Sequence, residues 1–221
     1  PGDALPSADA VANVSGGAVT NGNSLGAAVM ITNASASDRY AGASGSNNVC
    51  AVARTNAFSA ADGDSAYFQF SLAPDAGYKL NVTNIAFGSS STSTGPQAFR
   101  VRSDLDGYAR DLATGSLSAD GNWAFKEVPL LLNTSEAGVV VTLRLYGYGG
   151  VGTVSSGTAN WRVDDLAVAV SARAATSRYP PDILPVSPQS VRAGNSLAVA
   201  IAIGPTDGDD VAYTNVTASA G

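Results

Sequence analysis

The chain has 221 residues, enough for one large β-sandwich or for one sandwich plus part of another. Charged residues make up only 14%, and twelve Lys+Arg against eighteen Asp+Glu leave a net charge of −6. That balance disfavours nucleic acid as a partner, because phosphates need a basic surface. No apolar run approaches the ~18 residues of a membrane-spanning helix, so membrane insertion is not expected.

In chain order, residues 1–9 are polar and read as an N-terminal arm. The chain begins Pro1-Gly2-Asp3 with neither Met nor a basic, then apolar, leader, as expected of a processed or excised product. Strand candidates follow at 11–14, 27–32, 65–72, 78–87, 97–103, 110–117, 122–132, 138–147 and 160–171. The clearest are the pair around Pro74-Asp75-Ala76-Gly77. Phe68, Phe70 and Leu72 alternate with polar neighbours before that turn, and Tyr78, Leu80 and Val82 alternate after it. Many short strands with no helical periodicity predict an all-β sandwich or jelly roll over residues 10–172.

Alternation also predicts the inward set: Phe68, Phe70, Leu80, Val82, Phe99, Val101, Val141, Leu143, Leu145, Trp161, Val163 and Val168. Trp123 joins them by the same reading. Trp161 and Val163 share one parity while Leu166, Val168 and Val170 share the other, which requires an extra residue near Asp164-Asp165, a β-bulge. The same slip separates Val82 from Ile85 and Phe87.

Residues 173–182 read as a linker, with Tyr179-Pro180-Pro181 extended as proline demands. Residues 183–221 then form a partial second unit in which Leu197, Val199, Ile201 and Ile203 alternate without a break. Two or three strands cannot close a sandwich of their own. These four side chains therefore read as an assembly surface, a C-terminal strand extension awaiting a partner sheet.

No reaction centre is recognisable. Gly22-Asn23-Ser24-Leu25-Gly26 matches the nucleophile-elbow spelling, but the chain contains no histidine, so a Ser-His-Asp triad is impossible. Gly147-Tyr148-Gly149-Gly150-Val151-Gly152 spells a dinucleotide fingerprint without the following helix that such a site needs. A hydrolase in its own right is a third reading, but glycosidases need two carboxylates facing each other across a cleft and nothing in the sequence places them so. Cys50 is the single cysteine, so no intrachain disulfide forms, and it reads as a buried thiol.

Two residue sets carry candidate chemistry. Asp104 with Asp106, and Asp164 with Asp165, place paired carboxylates at a turn and at the bulge; Asp62-Gly63-Asp64 and Asp207-Gly208-Asp209-Asp210 repeat the theme. Such pairs are either ligands of a structural calcium, which takes oxygen donors, or turn formers that bond their own backbone. Without His or paired Cys, zinc is poorly served. Arg100, Arg102, Arg144 and Arg162 fall on outward positions beside Tyr146 and Tyr148. They either bind a glycan, the planar forks suiting uronates or sulfates, or pair across strands with Asp104, Asp106 and Asp164. Sequons at Asn13, Asn33, Asn81, Asn133 and Asn215 mark only a polar surface.

The runs YFQFSLAPDAGYKLNVTNIAFG, STGPQAFRVRSDLDGYARDLATGSL, VVVTLRLYGYGG and ANWRVDDLAVAV resemble a jelly-roll module of secreted bacterial multidomain proteins. That resemblance implies a carbohydrate-binding-like sandwich in an extracellular or cell-surface protein, sometimes ahead of a nuclease or phosphatase domain. The stretch PPDILPVSPQSVRAGNSLAVAIAI resembles the opening strands of a bacterial Ig-like domain. Two function classes follow. One is a non-catalytic structural or adhesive module that self-associates into filaments by strand donation. The other is a carbohydrate-binding or spacer module of a larger secreted protein.

Overall fold

The computed structural model describes residues 11–26, 29–61, 63–154 and 158–175. The first of two compact units ends at Ala175. The arm, most of the linker, and the tail with Leu197, Val199, Ile201 and Ile203 lie outside the described residues, as do Asp62 and Asp207–Asp210.

The described residues form eleven strands. In chain order they are β1 (Val14–Gly16), β2 (Thr20–Gly22), β3 (Ile31–Thr32), β4 (Asn48–Ala51), β5 (Tyr67–Pro74) and β6 (Tyr78–Ser91). There follow β7 (Ala98–Ser103), β8 (Ala113–Ser116), β9 (Trp123–Asn133), β10 (Val141–Tyr148) and β11 (Trp161–Ala174). A single 3-10 turn, Asp104–Asp106, interrupts them after β7. They make two antiparallel sheets packed as a sandwich. The first runs β1-β5-β10-β7-β8, with β2 continuing along the β1 side of β5; the second runs β3-β4-β11-β6-β9.

The core between the sheets is the one that alternation predicts. Phe68, Leu80, Val82, Phe99, Val101, Val141, Leu143, Leu145, Trp161 and Val163 are at most 1% exposed, and Phe70 is buried beside them. Val168 is half-buried against the same cluster. Phe68 meets Trp161 with ring centroids 4.6 Å apart, and Phe87 meets Phe99 edge-on at 5.3 Å. Each such side chain contributes about 1.5–3 kcal/mol on full burial.

Both predicted slips are present. Asp164 pairs with Gly88 and Ala167 with Ala86, so β11 carries one extra residue there. Asp165 takes a left-handed φ of 48° in that bulge. A second shift at Ala169/Val170 puts the extra residue on β6, between Val82 and Asn84.

Other expectations are corrected. β5 and β6 flank a short turn yet lie in different sheets, so Asp75–Gly77 is a corner between layers, closed by Tyr78 N–H to the Asp75 carbonyl at 3.0 Å. Period two fixes which face is apolar and says nothing about which strand is the neighbour. β2 and β4 are unanticipated, because Thr20–Gly22 and Asn48–Ala51 are too short or too polar to alternate visibly. Trp123 is buried, but not in the core: it pairs with Ser90, one position beyond inward Ser89, and so lies on the outer face of the second sheet.

Candidate functional site

Each outer sheet face is partly covered by a loop, and the candidate residues lie under or beside those covers. Over the second sheet, the segment between β3 and β4 folds back. The Trp123 indole N–H donates to the Ser35 carbonyl at 3.0 Å, and Tyr40 leans on Phe125 with ring centroids 5.7 Å apart. Gly88 makes room for Tyr40, since a Cβ there would meet its hydroxyl at 2.1 Å. The bulge carboxylates fasten this loop. Asp165 Oδ2 accepts from the Tyr40 hydroxyl at 2.5 Å and from Ser44 N–H at 3.1 Å; Asp164 Oδ2 accepts from the Ser44 hydroxyl at 3.0 Å. Burial first, and then the bond to Asp165, push the Tyr40 hydroxyl well above the usual phenol range. Arg162 also sits on this sheet, donating to Asn48 Oδ1 at 3.0 Å.

Over the first sheet, the segment between β4 and β5 performs the same cover by other means. Glycine amides after β10 tie it down. Gly149 and Gly150 both donate to the Thr55 carbonyl, at 2.9 and 3.1 Å. The glycine run thus serves backbone anchoring, and the elbow-like Ser24 accepts from Val52 N–H at 3.1 Å. Phe58 is held edge-on against Tyr146 and Tyr148, each at 5.5 Å. The guanidinium carbons of Arg100 and Arg102 both stand 4.5 Å from the Phe58 centroid. Asp111 bridges the two arginines, at 2.7 and 2.6 Å. Tyr146 is therefore completely buried although its strand position faces outward.

Arg144 differs from its neighbours. Its guanidinium lies between two rings, 4.2 Å from the Tyr67 centroid and 3.9 Å from that of Tyr108. Nε donates to Gln69 Oε1 at 2.8 Å and Nη1 to the Tyr146 hydroxyl at 3.2 Å. No carboxylate pairs with it among the described residues. Burial works against its charged form, but the Tyr146 hydroxyl bond and the Tyr146, Tyr108 and Tyr67 side chains together raise its pKa.

The loop after β7 places the Tyr108 ring. Gly107 and Tyr108 are both left-handed, with φ of 67° and 60°. For a bulky aromatic that conformation costs on the order of 1–3 kcal/mol and must be imposed by surroundings. Here Tyr108 N–H donates to the Ser103 carbonyl at 2.8 Å, and its own carbonyl accepts from Arg102 Nη1 at 2.7 Å. Asp104 accepts from Thr142 N–H at 2.9 Å, tying the loop to β10, and Asp106 accepts from the amides of Ala109 and Arg110 at 3.0 and 3.1 Å. Burial opposes the ionised form of Asp106, yet its bonds to Arg110 and these amides hold its carboxyl below the usual range.

The structure thus brings Arg100, Arg102, Arg144 and Tyr146 onto one face and places Asp104 and Asp106 at its rim. It sets Arg162, Asp164 and Asp165 on the other sheet. The cross-strand partner of Arg100 and Arg102 is Asp111, not Asp104, Asp106 or Asp164. Among the described residues, no three His, Cys, Asp or Glu side chains gather as a metal set. The carboxylates expected to hold calcium are engaged by protein donors, Oδ1 of Asp164 included, through Asp165 N–H at 2.9 Å. Sequence reading missed Phe58, Tyr67, Tyr108 and Asp111. Phe58 sits in a loop without periodicity, whereas Tyr67 shares parity with Gln69 and Tyr108 follows a turn-marking glycine.

Among the described residues no helix is long and apolar enough to cross a membrane. No protein-family model matches the chain, and none of the curated proteins does. Solved structures similar to it include two cleaved adhesin domains of Lys-gingipain from Porphyromonas gingivalis. One is 11% identical over 69% of this chain and 98% of its own, with a TM-score of 0.37. The other is 16% identical over 60% and 78%, with a TM-score of 0.32. The enzymatically active domain of bacteriophage CBA120 tailspike protein 4 is 11% identical over 77% of this chain and 21% of its own, with a TM-score of 0.36. At such scores nothing about ligand or activity passes from them to this chain.

Proposed function

We propose that this chain is a non-catalytic adhesive module of an extracellular protein, and that it binds glycans through the outer face of its first sheet. One observation carries the reading: Arg100, Arg102 and Arg144 stack with Phe58, Tyr67, Tyr108 and Tyr148, and Tyr146 packs against Phe58 and Tyr67, over one sheet face. Preformed cation–π stacks lower the ordering cost of recognition, and aromatic-with-arginine surfaces suit sugar rings and their substituents. Absence of histidine removes the commonest general base, which favours binding over chemistry. The test is a glycan array probed with the full chain. Retention of some glycans by the wild type, lost in Phe58→Ala, is expected; an array with no retained glycan defeats the reading.

A second reading concerns the tail, where the unbroken alternation of Leu197, Val199, Ile201 and Ile203 favours strand donation into a neighbouring copy. Donation that does not close on itself builds a filament. Deleting residues 176–221 should then leave a folded monomer that no longer assembles, as read by sedimentation. Assembly that persists after the deletion rejects donation and leaves the tail as the start of an Ig-like domain. Structural calcium at Asp164–Asp165 or Asp104–Asp106 is a separate proposal. It would have to displace the donors described above, and a melting temperature unmoved by chelator rejects it.

A further inference from the structure

The geometry points to a specific subsite within that face: Arg144, clamped between Tyr67 and Tyr108, takes the carboxylate or sulfate of an acidic sugar. This rests on the glycan-binding reading and names both the residue that selects and the charge it selects. Three independent observations converge. Arg100 and Arg102 are neutralised in part by Asp111, but Arg144 has no carboxylate partner among the described residues. Its Nε and Nη1 are engaged by neutral oxygens, while Nη2 makes no hydrogen bond among the described residues. A half-buried cation with an unused donor edge is the chemistry that captures an oxyanion.

The second observation is the backbone of Tyr108. A tyrosine held at a φ of 60°, pinned at both its N–H and its carbonyl, keeps its ring on the guanidinium where an unstrained loop would release it. Strain of this kind is found at ligand clamps. The third is the pair of rings. Tyr67 and Tyr108 flank the guanidinium and are themselves only half-buried, so ring surface borders whatever approaches Arg144, while the hydroxyl end of Tyr67 packs against Gly22. An oxyanion seated on Nη2 would bring an attached sugar ring against them. A bare acidic peptide would use the charge but not the rings, which favours the sugar.

The experiment measures binding to the full chain by calorimetry. The probes are a galacturonate oligosaccharide, a sulfated galactan oligosaccharide, the neutral galactan of the same length and a polyglutamate peptide. Galacturonate or the sulfated galactan should bind and the neutral galactan should not, with affinity falling as salt rises. Arg144→Gln should weaken binding by about tenfold or more, the loss expected on removing a charged donor. Tyr108→Gly relieves the left-handed backbone, so it should keep the fold intact while weakening binding; Tyr108→Phe should retain it.

Which acidic probe binds identifies the source of the anion. Equal binding of the neutral galactan, polyglutamate binding as tightly as the sugars, or affinity indifferent to both Arg144→Gln and Tyr108→Gly each overturns the assignment. If binding survives Arg144→Gln but is lost in Arg100→Gln, the subsite is wrong and the glycan-binding face stands. If no glycan binds at all, both fail.

Discussion

The two loop-covered faces do one structural job with opposite chemistry. Over the second sheet, the cover is fastened by carboxylates that accept from neutral donors, Tyr40, Ser44 and a backbone amide. Over the first, it is fastened by the Gly149 and Gly150 amides and by guanidinium groups stacked on Phe58, with Asp111 shared between two of them. In the Asp164–Asp165 pair, both Asp164 oxygens and Oδ2 of Asp165 accept from within the protein. The second arrangement leaves Arg144 with no carboxylate partner among the described residues. Carboxylates answered by the loop's own donors are finished as structure, whereas the proposed subsite rests on a stacked guanidinium with no such partner.

The largest expected effect separates the covers from the core. Trp123 is 6% exposed and lies under the cover of the second sheet rather than between the sheets. Trp123→Ala should cost about 3–5 kcal/mol, as large aromatic deletions do. Amide exchange should accelerate first in residues 33–47, with β5 and β10 still protected. Uniform loss of protection would place Trp123 in the global core and break the distinction between layers.

Phe58→Ala is the matching cut on the other face. Phe58 is half-buried and receives two cations, so about 2–3 kcal/mol is expected from lost burial and stacking. Because Arg100 and Arg102 retain Asp111, the sheet should survive while Tyr146 becomes accessible to solvent quenchers. A Phe58→Ala protein whose Tyr146 stays shielded would show that the glycine-anchored backbone, not the ring, forms the cover.

These two cuts also show what the sequence discloses. Phe68, Phe70, Leu143 and Val163 are legible because one face of an alternating strand must enter the core, and the Asp164–Asp165 bulge is legible because parity breaks there. Trp123 and Tyr146 are not legible in the same way. Tyr146 has outward parity and is buried by a loop over its sheet, and Trp123, read as inward, is buried from the outer side in the same way, because a loop without periodicity announces no destination. Arg100, Arg102 and Arg144 could be placed outward from spacing alone. That Arg162 belongs to the other sheet follows from pairing between distant strands, which period two does not encode.

Titration distinguishes the faces more gently. The Tyr40 hydroxyl is protonated in the fold, its pKa raised above the ordinary 10.0 by burial and by Asp165. A raised pKa contributes stability that is complete below the unfolded value and is lost as pH climbs toward the folded one. Denaturation midpoints should therefore fall on the alkaline side of about pH 10, and Tyr40→Phe should flatten part of that fall. Burial also raises Tyr108, with Arg144 opposing it, so some alkaline loss should remain in the variant. An alkaline limb unchanged by Tyr40→Phe would remove the Asp165 bond from any role in holding the cover.

The smallest effect concerns salt, and it sets the two fastenings side by side. Asp111 bridges Arg100 and Arg102, whose side chains are 29% and 13% exposed against 26% for Asp111. Partly exposed pairs of this kind are worth about 0–1 kcal/mol. Here the carboxylate also separates two guanidinium groups that stack on one ring, so Asp111→Ala should cost about 1 kcal/mol at low salt. Added salt screens both the lost attraction and the new repulsion, and the deficit should shrink by half or more as ionic strength reaches about 0.5 M. Asp164→Ala removes bonds from the Ser44 hydroxyl and the Asp165 amide, which carry no net charge. Its deficit should be similar in size, about 1 kcal/mol, and nearly indifferent to salt. The two curves, deficit against ionic strength, should therefore cross or diverge while the wild-type fold is unchanged. Parallel curves would mean that both faces are held by the same kind of interaction, and the chemical asymmetry between them would not survive.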